Sequence, residues 1–178
     1  RRAHTDRILR EDLLDLTSVR DLKGIETLTE LLRQAVGSPV SFESLSRDLQ
    51  ISPHTAKHWI GILESLYVIF LVTPYSRNIA RGLLKQPKIY FYDTGFISSD
   101  KSIRFENAVA CALLKHLHFL EDTQGKKTAL HYVRDRNKKE VDFLLLIGGE
   151  PKFLIETKWS GEDISQLRYF SKNFKNTF

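Results

Sequence analysis

The stretch Glu140–Ser160, EVDFLLLIGGEPKFLIETKWS, constrains the fold more than any other part of the chain. Phe143 to Ile147 is continuous apolar sequence, Phe153 to Ile155 is a shorter run of the same kind, and Gly148-Gly149-Glu150-Pro151 between them supplies turn chemistry. Two apolar runs of strand length joined in this way read as a β-hairpin. Yet Asp142, Glu156 and Lys158 fall in those strands, and a charge in a buried strand costs free energy unless it is paired or bound to a cation.

Side chains alternate along a strand, so Glu156 and Lys158 share a face while Ile155 and Thr157 take the other. A three-residue turn at Gly148, Gly149 and Glu150 sets Ile147 against Pro151 and Asp142 against Glu156. The two carboxylates then lie about 5 Å apart at the Cβ level, close enough to share a hard cation. Mg²⁺ takes carboxylate and water oxygens at about 2.0–2.1 Å. Lys158, one step along the same face, is placed to neutralise a developing oxyanion or to orient water. A cross-strand salt bridge accounts for the same residues without chemistry. The helix before the strands offers a third acid. At about 100° per residue, Glu106 falls between Leu113 and Leu117 on the wheel, bordered by Phe105 and Val109. A carboxylate on that arc is out of place on a solvated surface, and Glu106 is expected to point at the cation between Asp142 and Glu156.

The first half reads as helical. Arg7 to Leu22 is a polar helical or linking segment. Ile25, Leu28, Leu31, Leu32 and Val36 follow helical spacing until Gly37-Ser38-Pro39 stops the run. Ser41 caps a second helix, and Ser52-Pro53 opens a third with Ala56, Trp59, Ile60, Leu63 and Leu66 on one face. An apolar strand, YVIFLVTPY, follows. The pattern predicts a helix-turn-helix with a wing. Its third helix would present His54, Thr55, Lys57 and His58 to a DNA major groove. PKIYFYDTGFI is a short aromatic strand whose Asp93 closes a turn. A boundary near Ser98–Ser102 is expected, followed by a helix (Ile103–Leu117), a strand (Ala129–Val133), the hairpin, and a last helix (Asp163–Asn173).

The 178 residues carry a net charge of +5, and its distribution says more than its size. Arg77, Arg81, Lys85 and Lys88 fall between Glu64 and Asp93 with no acid among them, and Lys126 to Lys139 is a second basic stretch. Two such stretches fit contact with phosphates, and equally fit solvated loops. The single cysteine, Cys111, sits in an apolar helical pattern and reads as a core residue of a reducing compartment. No apolar run reaches membrane-spanning length and no signal peptide opens the chain, so a cytoplasmic protein without a membrane partner is expected. A phosphate-binding G-x-x-x-x-G-K-[ST] loop is absent, which excludes ATP binding of that kind by this chain. The chain has no methionine, position 1 included, and is expected to be a fragment of a longer one.

These residues resemble the PD-(D/E)XK nuclease superfamily, whose core runs α-β-β-β-α-β. The resemblance implies that Asp142 is the motif's aspartate, Glu156 and Lys158 its E-x-K, and Glu106 the accessory helical acid. Nearly the whole chain is similar to the C-terminal region of bacterial and archaeal AAA+-type ATPases, in which a winged helix precedes a PD-(D/E)XK-like domain. PKIYFYDTGFI, RFENAVACALLKHL, KKEVDFLL and FLIETKWS carry that likeness. It departs in two respects: the Pro of the motif is missing from EVD, and the last strand of the core is expected beyond Phe178.

The resemblance implies an α/β fold (α+β overall). A linking helix and winged-helix module would cover residues 1–98, and a nuclease-like α-β-β-β-α domain residues 99–178, its last strand lying beyond Phe178. An N-terminal ATPase domain of the same full-length chain is implied as a partner. The expected function is a metal-dependent DNA phosphodiesterase. Mg²⁺ or Mn²⁺ held by Asp142, Glu156 and Glu106 would activate water, and Lys158 would stabilise the transition state. His54, Thr55, Lys57, His58, Arg77, Arg81 and Lys85 would hold the duplex. The competing expectation is a non-catalytic DNA- or protein-binding regulatory module of that ATPase.

Overall fold

Apolar periodicity sets the helices of the first half. In the computed structural model, which describes residues 22–76, 86–97, 100–161, 163–172 and 174, α1 (Leu22–Gln34) buries Ile25, Leu28, Thr29 and Leu32. α2 (Phe42–Asp48) starts at Ser41, whose hydroxyl accepts from the Ser44 N–H. α3 (Pro53–Ser65) starts in the same way at Ser52, with Pro53 in the first turn, and buries Ala56, Trp59, Ile60, Ile62 and Leu63. Each cap satisfies an amide that the helix itself leaves open. β1 (Ile69–Pro74) then pairs antiparallel with β2 (Lys88–Phe91), so three helices and a two-stranded wing stand in the expected order. The leading segment lies outside the described residues, Leu22 apart. So do Arg77, Arg81 and Lys85.

Asp93 accepts from the Gly95 N–H and opens a short 3-10 turn, Thr94–Phe96. α4 (Lys101–Gln124) is longer than the predicted Ile103–Leu117, because Leu120 extends its buried stripe and Gly125, at φ 61°, provides the stop. β3 (Thr128–Arg134), β4 (Glu140–Ile147), β5 (Glu150–Ile155) and α5 (Ser165–Ser171) complete an α-β-β-β-α order. Among the described residues the architecture is α+β, five α-helices around one mixed sheet.

The strand order in that sheet is β2-β1-β3-β4-β5. The wing is therefore continuous with the second half, through a parallel β1–β3 pair that matches Thr73 with His131 and Pro74 with Tyr132. One hydrophobic cluster reaches from Leu28 and Leu63 through Ile69 and Ile89 to Phe143 and Leu145. A smaller one joins Val133, Val141, Leu144 and Leu154 to Phe170 of α5. β2 is an edge strand, and its outer side is covered: Gly37 N–H donates to Ile89 C=O, Val40 N–H to Pro87 C=O, and the Asn107 amide of α4 takes both backbone groups of Phe91.

Two irregularities set the hairpin register. Ile147 faces Glu150, not Pro151, so the turn is the two residues Gly148-Gly149. Both have positive φ, 67° and 81°, as a type I′ turn requires. The three-residue turn is thus corrected to two. An extra residue on β5, between the pairs Leu146↔Pro151 and Leu145↔Phe153, then shifts the register by one, leaving Phe143 opposite Ile155. The next step along both chains brings Asp142 beside Glu156, as the sequence reading expects.

Candidate functional site

β2 begins with a buried cation. Lys88 is 1% exposed, and its ammonium lies 2.7 Å from Glu140 Oε1, 3.5 Å from Glu106 Oε1 and 3.7 Å from Asp142 Oδ1. Lys88 and Tyr90 share a face of β2 by strand parity, and the Tyr90 hydroxyl donates to Glu106 Oε1 at 2.7 Å. Glu106 reaches both from the second turn of α4. Its closeness to Gly37 is equally constrained, for a Cβ at that glycine would stand 2.9 Å from Oε1.

A β-bulge brings the β4 acids into the same cluster. Between the pairs His131↔Leu144 and Val133↔Val141, β4 spends one residue more than β3. Strict alternation would turn Asp142 and Phe143 to opposite faces. The bulge lets Asp142 meet Lys88 while Phe143 packs on the Tyr90 ring, centroids 5.7 Å apart. Glu140, one residue pair away, bridges Lys88 to Arg134, whose guanidinium is 3.4 Å from Glu140 Oε2.

On its other side Asp142 Oδ2 accepts from both the N–H and the hydroxyl of Thr157, each at 2.7 Å. β5 ends at Ile155, so Glu156, Thr157 and Lys158 follow the strand and are not part of it. The Lys158 ammonium holds Glu156 Oε1 at 2.7 Å, while Glu156 Oε2 is buried without a hydrogen-bond partner. The structure therefore gathers Glu106 and Asp142 on Lys88, and sets the Glu156–Lys158 pair beside Asp142.

The electrostatics follow from burial and charge. Burial alone would lower the Lys88 pKa, but Glu106, Glu140 and Asp142 outweigh it and hold the ammonium above its ordinary value. Burial raises the carboxyl of Glu106 against the pull of Lys88, and raises that of Glu156 against its hydrogen bond from Lys158. Tyr90, buried beside Glu106, is pushed well above an ordinary phenol. This is a network of carboxylates in which the central cation is a side chain.

Whether the acids fit a resident divalent ion is decided by that cation. Mg²⁺ needs several oxygens at about 2.0–2.1 Å in octahedral geometry. Here the space between Glu106, Glu140 and Asp142 holds the Lys88 ammonium, and Glu156 is engaged by Lys158. Among the described residues no group of three His, Cys, Asp or Glu side chains is arranged to hold a metal. With Lys88 seated, the residues do not fit the ion.

The predicted DNA-contact residues form a second feature. His54, Lys57 and His58 are exposed, and with Gly61, Ile62 and Ser65 they line an open groove of about 480 Å³ along α3. Thr55 is half-buried, its hydroxyl 2.8 Å from that of Ser52 in the N-cap. A larger cleft, about 600 Å³, opens between Pro39, Pro74, Gln86, Tyr132, Arg134, Asp135 and Arg136. Cys111 is half-buried with its thiol raised by burial, and it donates to Phe91 C=O at 3.2 Å.

Sequence reasoning singled out Glu106, Asp142, Glu156 and Lys158 and missed Lys88, which holds Glu106 and Asp142, Tyr90 and Thr157, which donate to those two acids, and Glu140, which pairs with Lys88. Lys88 shares a basic stretch with Arg77, Arg81 and Lys85, so its charge reads in sequence as a phosphate contact or a solvated one, although it falls in the strand PKIYFYDTGFI. Its parity with Tyr90, in a run otherwise apolar, was the available signal.

Fold and site define a layer of three helices and an antiparallel strand pair, joined through one sheet to an α-β-β-β-α layer, with a lysine-centred acid cluster at the join. Residues 1–104 match DUF8612, a domain of unknown function, and the chain belongs to that family. Residues 102–177 match a second domain of unknown function, DUF4143. The chain is also similar to the uncharacterized proteins Rv2008c of Mycobacterium tuberculosis and Mb2031c of Mycobacterium bovis. Each is 26% identical over 121 residues, covering 65% of this chain and 27% of the relative. This chain thus spans well under a third of their length. No solved structure matches it. Among the described residues no helix is long and apolar enough to cross a membrane.

Proposed function

We propose that this chain is a non-catalytic DNA-binding module of a larger, ATPase-linked protein, and that α3 is its contact with the duplex. The observation that carries this reading is the groove along α3. His54, Lys57 and His58 project from a helix fixed by the Ser52 cap and by buried Trp59 and Leu63, and no acid lines the groove. Gly61 leaves that face open, since a Cβ there would meet nothing within 4 Å, so a phosphate backbone can approach the helix closely. Contacts of this kind supply affinity and register more than sequence choice. The DUF4143 match supports association with an ATPase.

A second reading, a Mg²⁺- or Mn²⁺-dependent phosphodiesterase, draws on the meeting of Glu106 and Asp142 at one point beside Glu156. It requires Lys88 to leave that point.

Anisotropy of a labelled duplex, titrated over a range of salt, tests the first reading. Binding should weaken steeply with salt, and His54→Ala, Lys57→Ala and His58→Ala together should reduce affinity and flatten the salt slope for every sequence tried. Unchanged binding in that variant removes α3 as the contact. Duplex cleavage that needs Mg²⁺ and is lost in Asp142→Asn would favour the second reading.

A further inference from the structure

We propose that Lys88 is the permanent cation of the acid cluster, a tethered ammonium standing where a nuclease-like site would hold a metal. The wing strand thereby keeps the cluster closed to divalent ions. The inference concerns the join between β2, α4 and β4, and does not rest on DNA binding by α3.

Three features carry it. The ammonium is within 4 Å of a carboxylate on α4 and two on β4, so every acid facing it belongs to the second half of the chain while Lys88 belongs to the wing. The cluster is also shaped around this guest: the β4 bulge aims Asp142 at Lys88, Tyr90 orients Glu106, and Arg134 engages the far oxygen of Glu140. Finally, the Lys88 side chain is 2% exposed and its ammonium lies over the Tyr132 ring, 5.5 Å from the centroid. Cation and stem are enclosed, so a divalent ion cannot enter beside the ammonium without displacing it against like charge.

Removing the ammonium should leave carboxylates that repel one another and accept a metal in its place. Melting with and without millimolar Mg²⁺ or Mn²⁺ reads this out, as does Tb³⁺ luminescence sensitised by Tyr90. The parent should ignore the metals and stay dark. Lys88→Ala should melt lower than the parent without metal, recover with Mn²⁺ or Mg²⁺, and light up with Tb³⁺. Lys88→Met keeps the buried stem and should show the same gain if the alanine variant is too unstable to handle. Adding Asp142→Asn to either should abolish it. A parent that binds Tb³⁺ or is stabilised by Mg²⁺ as strongly as the variants would overturn the proposal. Folded variants that ignore the metals would do so too, and so would variants that stay unfolded in millimolar metal, for the ion would then be no substitute for the ammonium.

Discussion

Asn107 closes both free backbone groups of Phe91. Its Oδ1 accepts from the Phe91 N–H and its Nδ2 donates to the Phe91 C=O, each at 2.8 Å, with Asn107 fully buried. A side-chain amide has the same donor–acceptor spacing as a neighbouring strand, so α4 completes the edge of the sheet where no strand follows. Replacing Asn107 with Ala leaves the buried Phe91 N–H without its acceptor, and leaves the Phe91 C=O with only the weak Cys111 thiol bond. A loss of about 1–3 kcal/mol is expected in denaturant unfolding. A loss below about 1 kcal/mol would show that water can take over both bonds.

Gly37 and Glu106 form a second coupled pair. Gly37 has φ 74°, and a Cβ there would stand 2.9 Å from Glu106 Oε1, which Tyr90 and Lys88 already hold. Gly37→Ala should cost about 1–2 kcal/mol for the left-handed backbone, and more for displacing the carboxylate. In a Glu106→Ala background only the backbone part should remain. Equal losses in both backgrounds would deny the contact.

His131 makes the seam between β1 and β3 sensitive to acid. Its Nδ1 lies 3.1 Å from Thr73 Oγ1 and 3.2 Å from Thr73 O, and burial lowers its pKa below 6.5 against the backbone bond. The folded state therefore favours the neutral ring. Its contribution is complete above pH 6.5 and is lost as pH falls through the depressed folded value. Unfolding midpoints measured from pH 8 downward should fall across this window, and His131→Gln should remove that part of the slope. A slope unchanged in the variant would assign it to other groups.

The hairpin turn tests the type I′ geometry. Asparagine tolerates the left-handed region, whereas a β-branched residue does not. Gly148→Asn should change stability by less than about 0.5 kcal/mol, and Gly148→Val should cost more than about 1 kcal/mol. Equal effects in chemical denaturation would mean that the turn relaxes to another form.

Periodicity made the helices legible, and Ser41, Ser52 and Pro53 marked their starts because capping chemistry is local. The hairpin was legible for the same reason, but the register of Asp142 with Glu156 rested on a three-residue turn, and the structure reaches it by a two-residue turn and one extra residue on β5. The bulges were not. An extra residue in β4 or β5 depends on how the strand fits its neighbour, and no residue type announces it. Lys88 was hidden by distance in sequence. Its partners Glu106, Glu140 and Asp142 lie on other elements, and only the folded sheet brings a wing residue to them.

The sheet order has a consequence for the chain during its synthesis. β1 is flanked by β2, which follows it closely, and by β3, whose His131 meets Thr73 across a separation of 58 residues. At about 5–20 residues per second, the second edge of β1 stays unpaired for several seconds after β1 leaves the ribosome. A truncated chain ending near Ile97 would keep that edge bare indefinitely, and aggregation is the expected fate of such an N-terminal half. The join between the two layers is thus also a checkpoint, because neither half has a finished surface until the ribosome has delivered both.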